Sequence, residues 1–128
     1  MNSFRFGTAI NCIDGRTQQL VIDHLKQNYN IDGVDMVTFP GADGFFSNRD
    51  HSEEIALIRR AVSISIEKHG SRIIAEVGHY DCAGNPDDRE QHYMDILGGA
   101  MREVSPWNLH AQVIGLYVND KREIEDVK

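Results

Sequence analysis

Apolar and polar residues follow one another along this chain in blocks that predict strands and helices in alternation. Four mostly apolar runs predict strands, and they cover residues 4–13, 34–39, 72–78 and 111–118. Between them, apolar residues three or four positions apart predict amphipathic helices at 16–29, 50–70 and 85–105. This β-α-β-α-β-α-β order predicts a single α/β domain over 1–128, in which helices cover both faces of a four-stranded, mostly parallel sheet.

Local signals mark the ends of these predicted elements. Residues 50–53 resemble a capping box with aspartate at the cap, and 85–88 combine a proline with acidic residues typical of a helix start. Residues 41–49 are predicted to form a loop in which Phe45 or Phe46 covers the core. The charged tail 119–128 is predicted to be a short solvated helix or a frayed end.

One residue does not fit the apolar pattern of the third strand. Glu76 interrupts a run that otherwise suits a strand covered on both faces. Its carboxylate is expected either to face solvent at a sheet edge or to pair with a basic group across a subunit interface.

Composition and charge argue against some classes of binding partner and indicate the cellular compartment. The net charge is −7 and no cluster of lysine and arginine stands out, which argues against nucleic acid or an anionic membrane surface. No secretory signal and no run of about 18 apolar residues is present, so a cytoplasmic, non-membrane protein is expected. In that compartment two cysteines favour metal ligands or reactive thiols over a disulfide.

Both cysteines lie in short motifs that follow predicted strands. The motifs are Cys12-Ile13-Asp14-Gly15-Arg16 and His79-Tyr80-Asp81-Cys82. Two thiolates and an imidazole form a ligand set suited to Zn²⁺, and a neighbouring carboxylate and guanidinium can form a bidentate pair. Ligands gather at the carboxyl ends of parallel strands, so the strand order 2-1-3-4 would bring the three candidate ligands together.

With these motifs the sequence resembles the β-class carbonic anhydrases. That family carries Cys-x-Asp-x-Arg after its first core strand and Gly-His-x-Asp-Cys after a later one, and residues 78–82 match the second pattern. The resemblance spans roughly residues 4–118 in element order and is specific at the two motifs.

The resemblance implies a function and a role for each motif residue. Cys12, His79 and Cys82 would bind zinc, and a zinc-bound hydroxide would hydrate CO₂ reversibly to bicarbonate. Asp14, held by Arg16, would accept a hydrogen bond from the zinc-bound water or, in a closed form, become the fourth ligand. Because family pockets borrow residues from a neighbouring subunit, a homodimer or higher homo-oligomer is also implied.

Three departures from the family pattern keep other functions open. Gly15 replaces a usual serine, Ala83 replaces a usual glycine, and residues 39–43 replace the Arg-Asn-Ala-Gly segment. The alternatives are a zinc hydrolase of another small heterocumulene, such as COS or CS₂, and a structural zinc domain in which Asp14 is permanently the fourth ligand. A redox role is disfavoured because no Cys-x-x-Cys pair exists.

Several neighbouring residues receive weaker assignments. Asp81 is expected to accept backbone N–H groups in the turn that follows it, and Tyr80 could line the pocket or pack outward. The remaining histidines are expected on the surface or on helices, and none is assigned as a proton relay: His24, His51, His69, His92 and His110.

Overall fold

A five-stranded sheet in the order β2-β1-β3-β4-β5 forms the centre of the protein. The computed structural model describes residues 3–47, 49–107 and 110–128. Four strands run parallel, and the last runs antiparallel to β4: β1 Phe6–Asn11, β2 Gly33–Thr38, β3 Ile73–His79, β4 Gln112–Val118 and β5 Ile124–Val127. The predicted order 2-1-3-4 is therefore confirmed, and the sheet has one strand more than predicted.

The fifth strand corrects the expectation for the charged tail. Asn119 closes a tight turn because its side-chain oxygen accepts the backbone N–H groups of Lys121 and Glu123 at 3.0 and 2.9 Å. This turn reverses the chain onto the edge of β4, and Val127 becomes buried against the sheet. A hairpin with an apolar residue facing inward thus replaces the predicted helix or frayed end.

Helices cover both faces of the sheet, as predicted. On one face α1 (Gln18–Tyr29) packs Val21 and Leu25 onto apolar side chains of the inner strands. On the other face α2 (Ser52–His69) packs Ile58 and Val62 against residues that include Ile74. Within the described part of the chain, no helix is long and apolar enough to cross a membrane.

The third helical region differs from its prediction at its start and in its winding. It begins at α3 (Arg89–Met94), where the Asp88 carboxylate caps the helix by accepting the Gln91 N–H at 2.8 Å. The chain then continues through a π-helical stretch, a short α-helix and a 3₁₀ turn: Asp95–Ala100, α4 Met101–Val104 and Ser105–Trp107. The predicted start at residue 85 was wrong because the Asn85 side chain bonds to tertiary partners instead.

The segment between β2 and α2 is more regular than predicted. Ala42–Ser47 and Arg49–His51 form 3₁₀ helices, and α2 follows a capping residue, His51, that makes no side-chain cap hydrogen bond. The predicted capping box is therefore wrong. Phe45 is buried and stacks on the His51 ring at 4.6 Å between centroids, so one of the two aromatics covers the core as expected.

Glu76 is fully buried, with a relative exposure of 0%. It lies inside the sheet, between Ile10 of β1 and Gly115 of β4, and neither carboxylate oxygen has a hydrogen-bond partner among the described residues. Full burial within one chain excludes both the solvent-exposed edge and the contact across a subunit interface. Burial, and secondarily the charge of Asp43, raises the pKa of this carboxyl well above its ordinary value.

Glu76→Gln is expected to remove a pH-dependent loss of stability. The folded protein keeps the Glu76 proton to higher pH than the unfolded chain, so stability falls as pH rises above the unfolded value of 4.5. In urea unfolding, the stability of the variant relative to wild type should therefore rise by up to about 1.4 kcal/mol per pH unit until the folded pKa is reached. Glu67→Gln, on an exposed part of α2, is the control and should leave the slope unchanged. Equal slopes for Glu76→Gln and wild type would contradict this account.

Candidate metal centre

The two sequence motifs meet at the carboxyl ends of β1 and β3, which are neighbours in the sheet. Cys12 directly follows β1, His79 ends β3, and Cys82 follows a turn in which Asp81 has a φ of 58°. The two sulfurs and an imidazole nitrogen lie within 4.8 Å of one another, and all three residues are buried. The sulfurs are 3.8 Å apart and the thiols are free, so the predicted convergence of the three side chains is confirmed.

A hydrogen bond to the backbone orients the His79 ring. Its Nδ1 lies 2.8 Å from the Tyr80 carbonyl oxygen, which can only accept, so Nδ1 carries the proton. Nε2 therefore presents a lone pair, yet this buried atom has no hydrogen-bond partner among the described residues. A free lone pair on an imidazole nitrogen beside two thiols suits the binding of a metal ion. The other ring nitrogen donates to a backbone carbonyl, and this hydrogen bond is common in histidines that bind metals.

A backbone N–H group contacts the sulfur of the first motif. The Gly41 N–H donates to the Cys12 sulfur at 3.4 Å. The hydrogen bond with Cys12 and burial raise the pKa of the Cys82 thiol, and the backbone N–H groups of Asn85 and Gly84 offset part of this rise. The hydrogen bond between the two thiols lowers the pKa of Cys12 most, and His79 and Gly41 lower it further, whereas burial opposes this effect. The pair thus favours release of a first proton at Cys12, and metal binding requires thiolates.

Asp14 and Arg16 form the bidentate ion pair expected from the sequence. Arg16 Nη2 and Nε lie 2.7 and 3.0 Å from the two Asp14 oxygens, and the Arg16 backbone N–H also donates to Asp14 at 2.9 Å. These hydrogen bonds lower the pKa of Asp14 to about 2. Asp14 Oδ2 lies 4.0 Å from His79 Nε2, so an ionised carboxylate faces the unpartnered nitrogen.

Asp81 extends this ion pair. Its carboxylate lies 3.3 Å from Arg16 Nη1 and its carbonyl accepts from Nη2 at 3.1 Å. The expected role of accepting N–H groups in the turn is replaced by a contact with the guanidinium. Arg16 therefore links the first motif to the second.

A cleft opens beside the cysteine of the second motif. Its volume is about 480 Å³, and its lining includes Cys82, Tyr80, Arg89 and Glu125. Tyr80 is 55% exposed, so the tyrosine lines the cleft without being enclosed. The cleft therefore extends from solvent to Cys82.

Two glycines let the loops around the thiols approach each other closely. Gly41 has a φ of +64°, and a Cβ built on it would lie 2.4 Å from the backbone carbon of Gly84. A Cβ on Gly84 would lie 2.5 Å from the backbone of Pro40. The two loops therefore touch backbone to backbone, and a side chain at either position would separate them.

Gly41→Ala is expected to destabilise the protein by about 2–5 kcal/mol, which combines left-handed backbone strain with a backbone clash. Gly70→Ala is a matched control, because Gly70 has a φ of +72° but a Cβ added to it would meet nothing within 4 Å. The control should lose only the stability that left-handed backbone strain removes, about 1–2 kcal/mol. Urea unfolding of both variants gives the comparison, and equal losses would contradict the contact between the two loops.

Sequence reasoning missed a second group of buried polar residues behind the site. His92, expected on the surface or on a helix, lies on α3 and is completely buried, and its Nδ1 lies 2.5 Å from Asp43 Oδ2. Asp43 also accepts from Asn85, in the turn after the second motif. The apolar stripe of the third helix includes Tyr93 and gave no signal that the preceding histidine points inward.

The mixed five-stranded sheet with helices on both faces is similar to the fold of solved β-carbonic anhydrases. Residues 2–128 match the sequence profile of the family described as "Putative carbonic anhydrase", and the chain belongs to that family. No curated protein sequence matched the chain.

Solved carbonic anhydrase structures share the fold. The enzyme from Glaciozyma antarctica superposes with a TM-score of 0.61 at 14% identity, over 94% of this chain and 81% of the other. The enzyme from Streptococcus mutans gives 0.57 at 18% identity, over the same fractions of the two chains. A structure described among two tetrameric β-carbonic anhydrases from Sordaria macrospora gives 0.61 at 10%, over 99% and 82%. These identities support a shared fold.

Proposed function

We propose that the protein is a zinc enzyme that converts CO₂ and water reversibly to bicarbonate. The observation that carries this proposal is the buried Nε2 of His79, which lies beside two thiols, has no hydrogen-bond partner in the described part of the chain and faces the Asp14 carboxylate 4.0 Å away. Membership of a carbonic anhydrase family supports the same reaction.

Cys12, His79 and Cys82 would hold the zinc ion. Cys₂His is a known donor set of catalytic zinc, and three protein donors leave a fourth position open. When bound, zinc acts as a Lewis acid that activates water for attack on carbon dioxide near neutral pH. The Gly41 N–H donates to the Cys12 sulfur, which stabilises that thiolate and helps to hold it in place.

Asp14 would orient the reacting water. Its depressed pKa keeps it ionised at neutral pH, so the carboxylate can only accept a hydrogen bond. Arg16 fixes both of its oxygens and is itself tied to Asp81, which holds the carboxylate towards His79. The same carboxylate could instead occupy the fourth position of the metal, as the closed-site alternative requires.

Parallel turnover assays test the substrate. The altered segment 39–43 lies against the centre, because Gly41 donates to Cys12, and the departure of this segment from the family pattern motivates COS or CS₂ as the second candidate substrate. Zinc-loaded protein should turn over CO₂ faster than COS. A clear preference for COS would move the proposal to the second candidate, and turnover of neither by fully loaded protein would favour a structural zinc site.

We also propose that the chain forms a homodimer or a larger homo-oligomer. Exposed apolar side chains flank the site and lie along α2, and they include Ile13, Tyr80, Leu57 and Ile64. Phe45 is buried and does not contribute to this exposed apolar surface. Sedimentation velocity at micromolar concentration should show a species larger than a monomer, and a monomer would contradict the proposal.

A further inference from the structure

Two separate loops meet at the two candidate metal-binding sulfurs. The loop after β2 provides the Gly41 N–H, which donates to the Cys12 sulfur at 3.4 Å, and the turn that begins at Cys82 carries the other sulfur. The loops touch at Gly41 and Gly84, where neither position has room for a Cβ. The direction of the Gly41 N–H and the position of the Cys82 sulfur therefore depend on how these two loops are held together.

Asp43 connects the two loops through its buried carboxylate. One oxygen accepts the Asn85 side-chain N–H at 3.1 Å, and the other accepts Nδ1–H of His92 at 2.5 Å. The second oxygen also lies 2.5 Å from the position of a Cβ built on Gly78, the residue before His79. Asp43 is 2% exposed, so water offers no substitute for these contacts.

Buried residues of the third helical region form hydrogen bonds with Asp43 and with its partner Asn85. His92 is completely buried on α3, which fixes one partner of Asp43. Asn85 also donates to Asp95 at 3.1 Å, and Asp95 in turn accepts from Ser47 and Gln91 at 3.1 and 3.0 Å. A continuous set of hydrogen bonds thus runs from the helix to both loops.

We propose that Asp43 is a positioning residue of the metal centre: it holds the two loops at the spacing that directs the Gly41 N–H at the Cys12 sulfur and places the Cys82 sulfur beside it. This inference rests on the metal binding in the proposed function. Partners of metal ligands commonly change metal affinity by about 10–100-fold, because they fix the direction and electron density of the donor atoms.

The test compares metal binding by Asp43→Ala and Asp43→Asn with wild type. Zinc affinity is measured by competition with a chelator, and the thiolate-to-metal absorption bands are recorded with Co²⁺. Asp43→Ala should weaken zinc binding by about 10–100-fold and shift the cobalt bands. Asp43→Asn should recover most of the affinity, since its oxygen can accept from Asn85 and its amide can donate to the other tautomer of His92.

Ser65→Ala provides a matched control away from the site. Ser65 is 2% exposed on α2 and bonds to Thr8 at 2.6 Å, so its loss disturbs a buried polar pair without touching either loop. The control should lower stability but keep the zinc affinity and cobalt bands of wild type. If Asp43→Ala does not fold, Asn85→Ala breaks the same connection from the other loop and should give the same metal phenotype.

The outcomes separate this inference from the proposed function. Wild-type zinc affinity and cobalt bands in a folded Asp43→Ala or Asn85→Ala variant would overturn the positioning role alone. Equal metal phenotypes in Ser65→Ala and Asp43→Ala would also overturn it. A wild-type protein that takes up neither metal would overturn both proposals.

Discussion

Cys82→Ser is expected to weaken zinc binding by more than about a hundredfold, beyond the range expected for a change in a residue that only supports a ligand. A serine hydroxyl is not ionised at neutral pH and is a poor donor to zinc compared with a thiolate. Only Cys12 and His79 would remain of the donor group that the structure brings together. Zinc affinity is measured by chelator competition at a fixed pH.

The fold should survive this substitution. Serine is close to cysteine in size, and the turn that carries residue 82 follows a strand paired on both sides. Circular dichroism of the metal-free variant and of metal-free wild type should therefore agree. Full zinc occupancy with wild-type affinity in Cys82→Ser would contradict the ligand assignment.

Arg16→Ala is expected to retain zinc but to lower the rate of CO₂ hydration by about a hundredfold or more, the scale of the loss when a positioned catalytic group is misplaced. The pKa of Asp14 would rise from about 2 towards its ordinary value of 3.8, so this carboxylate would stay ionised at neutral pH. The loss therefore reflects orientation, and it should persist across the neutral and alkaline range. Zinc content and stopped-flow rates of the same samples provide the measurement.

Arg122→Ala is the control for removing positive charge near the site. Arg122 lines the same small cavity as Arg16 and His79, but Arg16 is the residue that bonds to Asp14. The control should keep both its zinc and its activity. Full turnover in zinc-loaded Arg16→Ala would refute the proposed role of the Asp14–Arg16 pair.

The fold was largely predictable because its parallel strands have strong local patterns. Four mostly apolar strands alternate with amphipathic helices, and this alternation determines the layers and restricts the order. The fifth strand was missed because it has only four residues, Ile124–Val127, two of them acidic. Its conformation depends on the Asn119 turn and on pairing with β4, neither of which appears in a local apolar pattern.

The candidate site was predictable only where its residues lie in the two motifs. Strand ends bring Cys12, His79 and Cys82 together, so their approach followed from the element order. The contact between Asp43 and His92 joins residues 49 positions apart and left no periodic signal. Glu76 was identified as unusual, but its complete burial depends on tertiary packing that the sequence pattern does not specify.

Stopped-flow CO₂ hydration by zinc-verified protein, scanned from about pH 6.5 to 9, tests the central claim most directly. The proposal predicts a rate that rises with pH through an apparent pKa of about 7, the value expected for water activated by catalytic zinc. Absence of turnover across this range, with one zinc bound per chain, would contradict the proposed reaction.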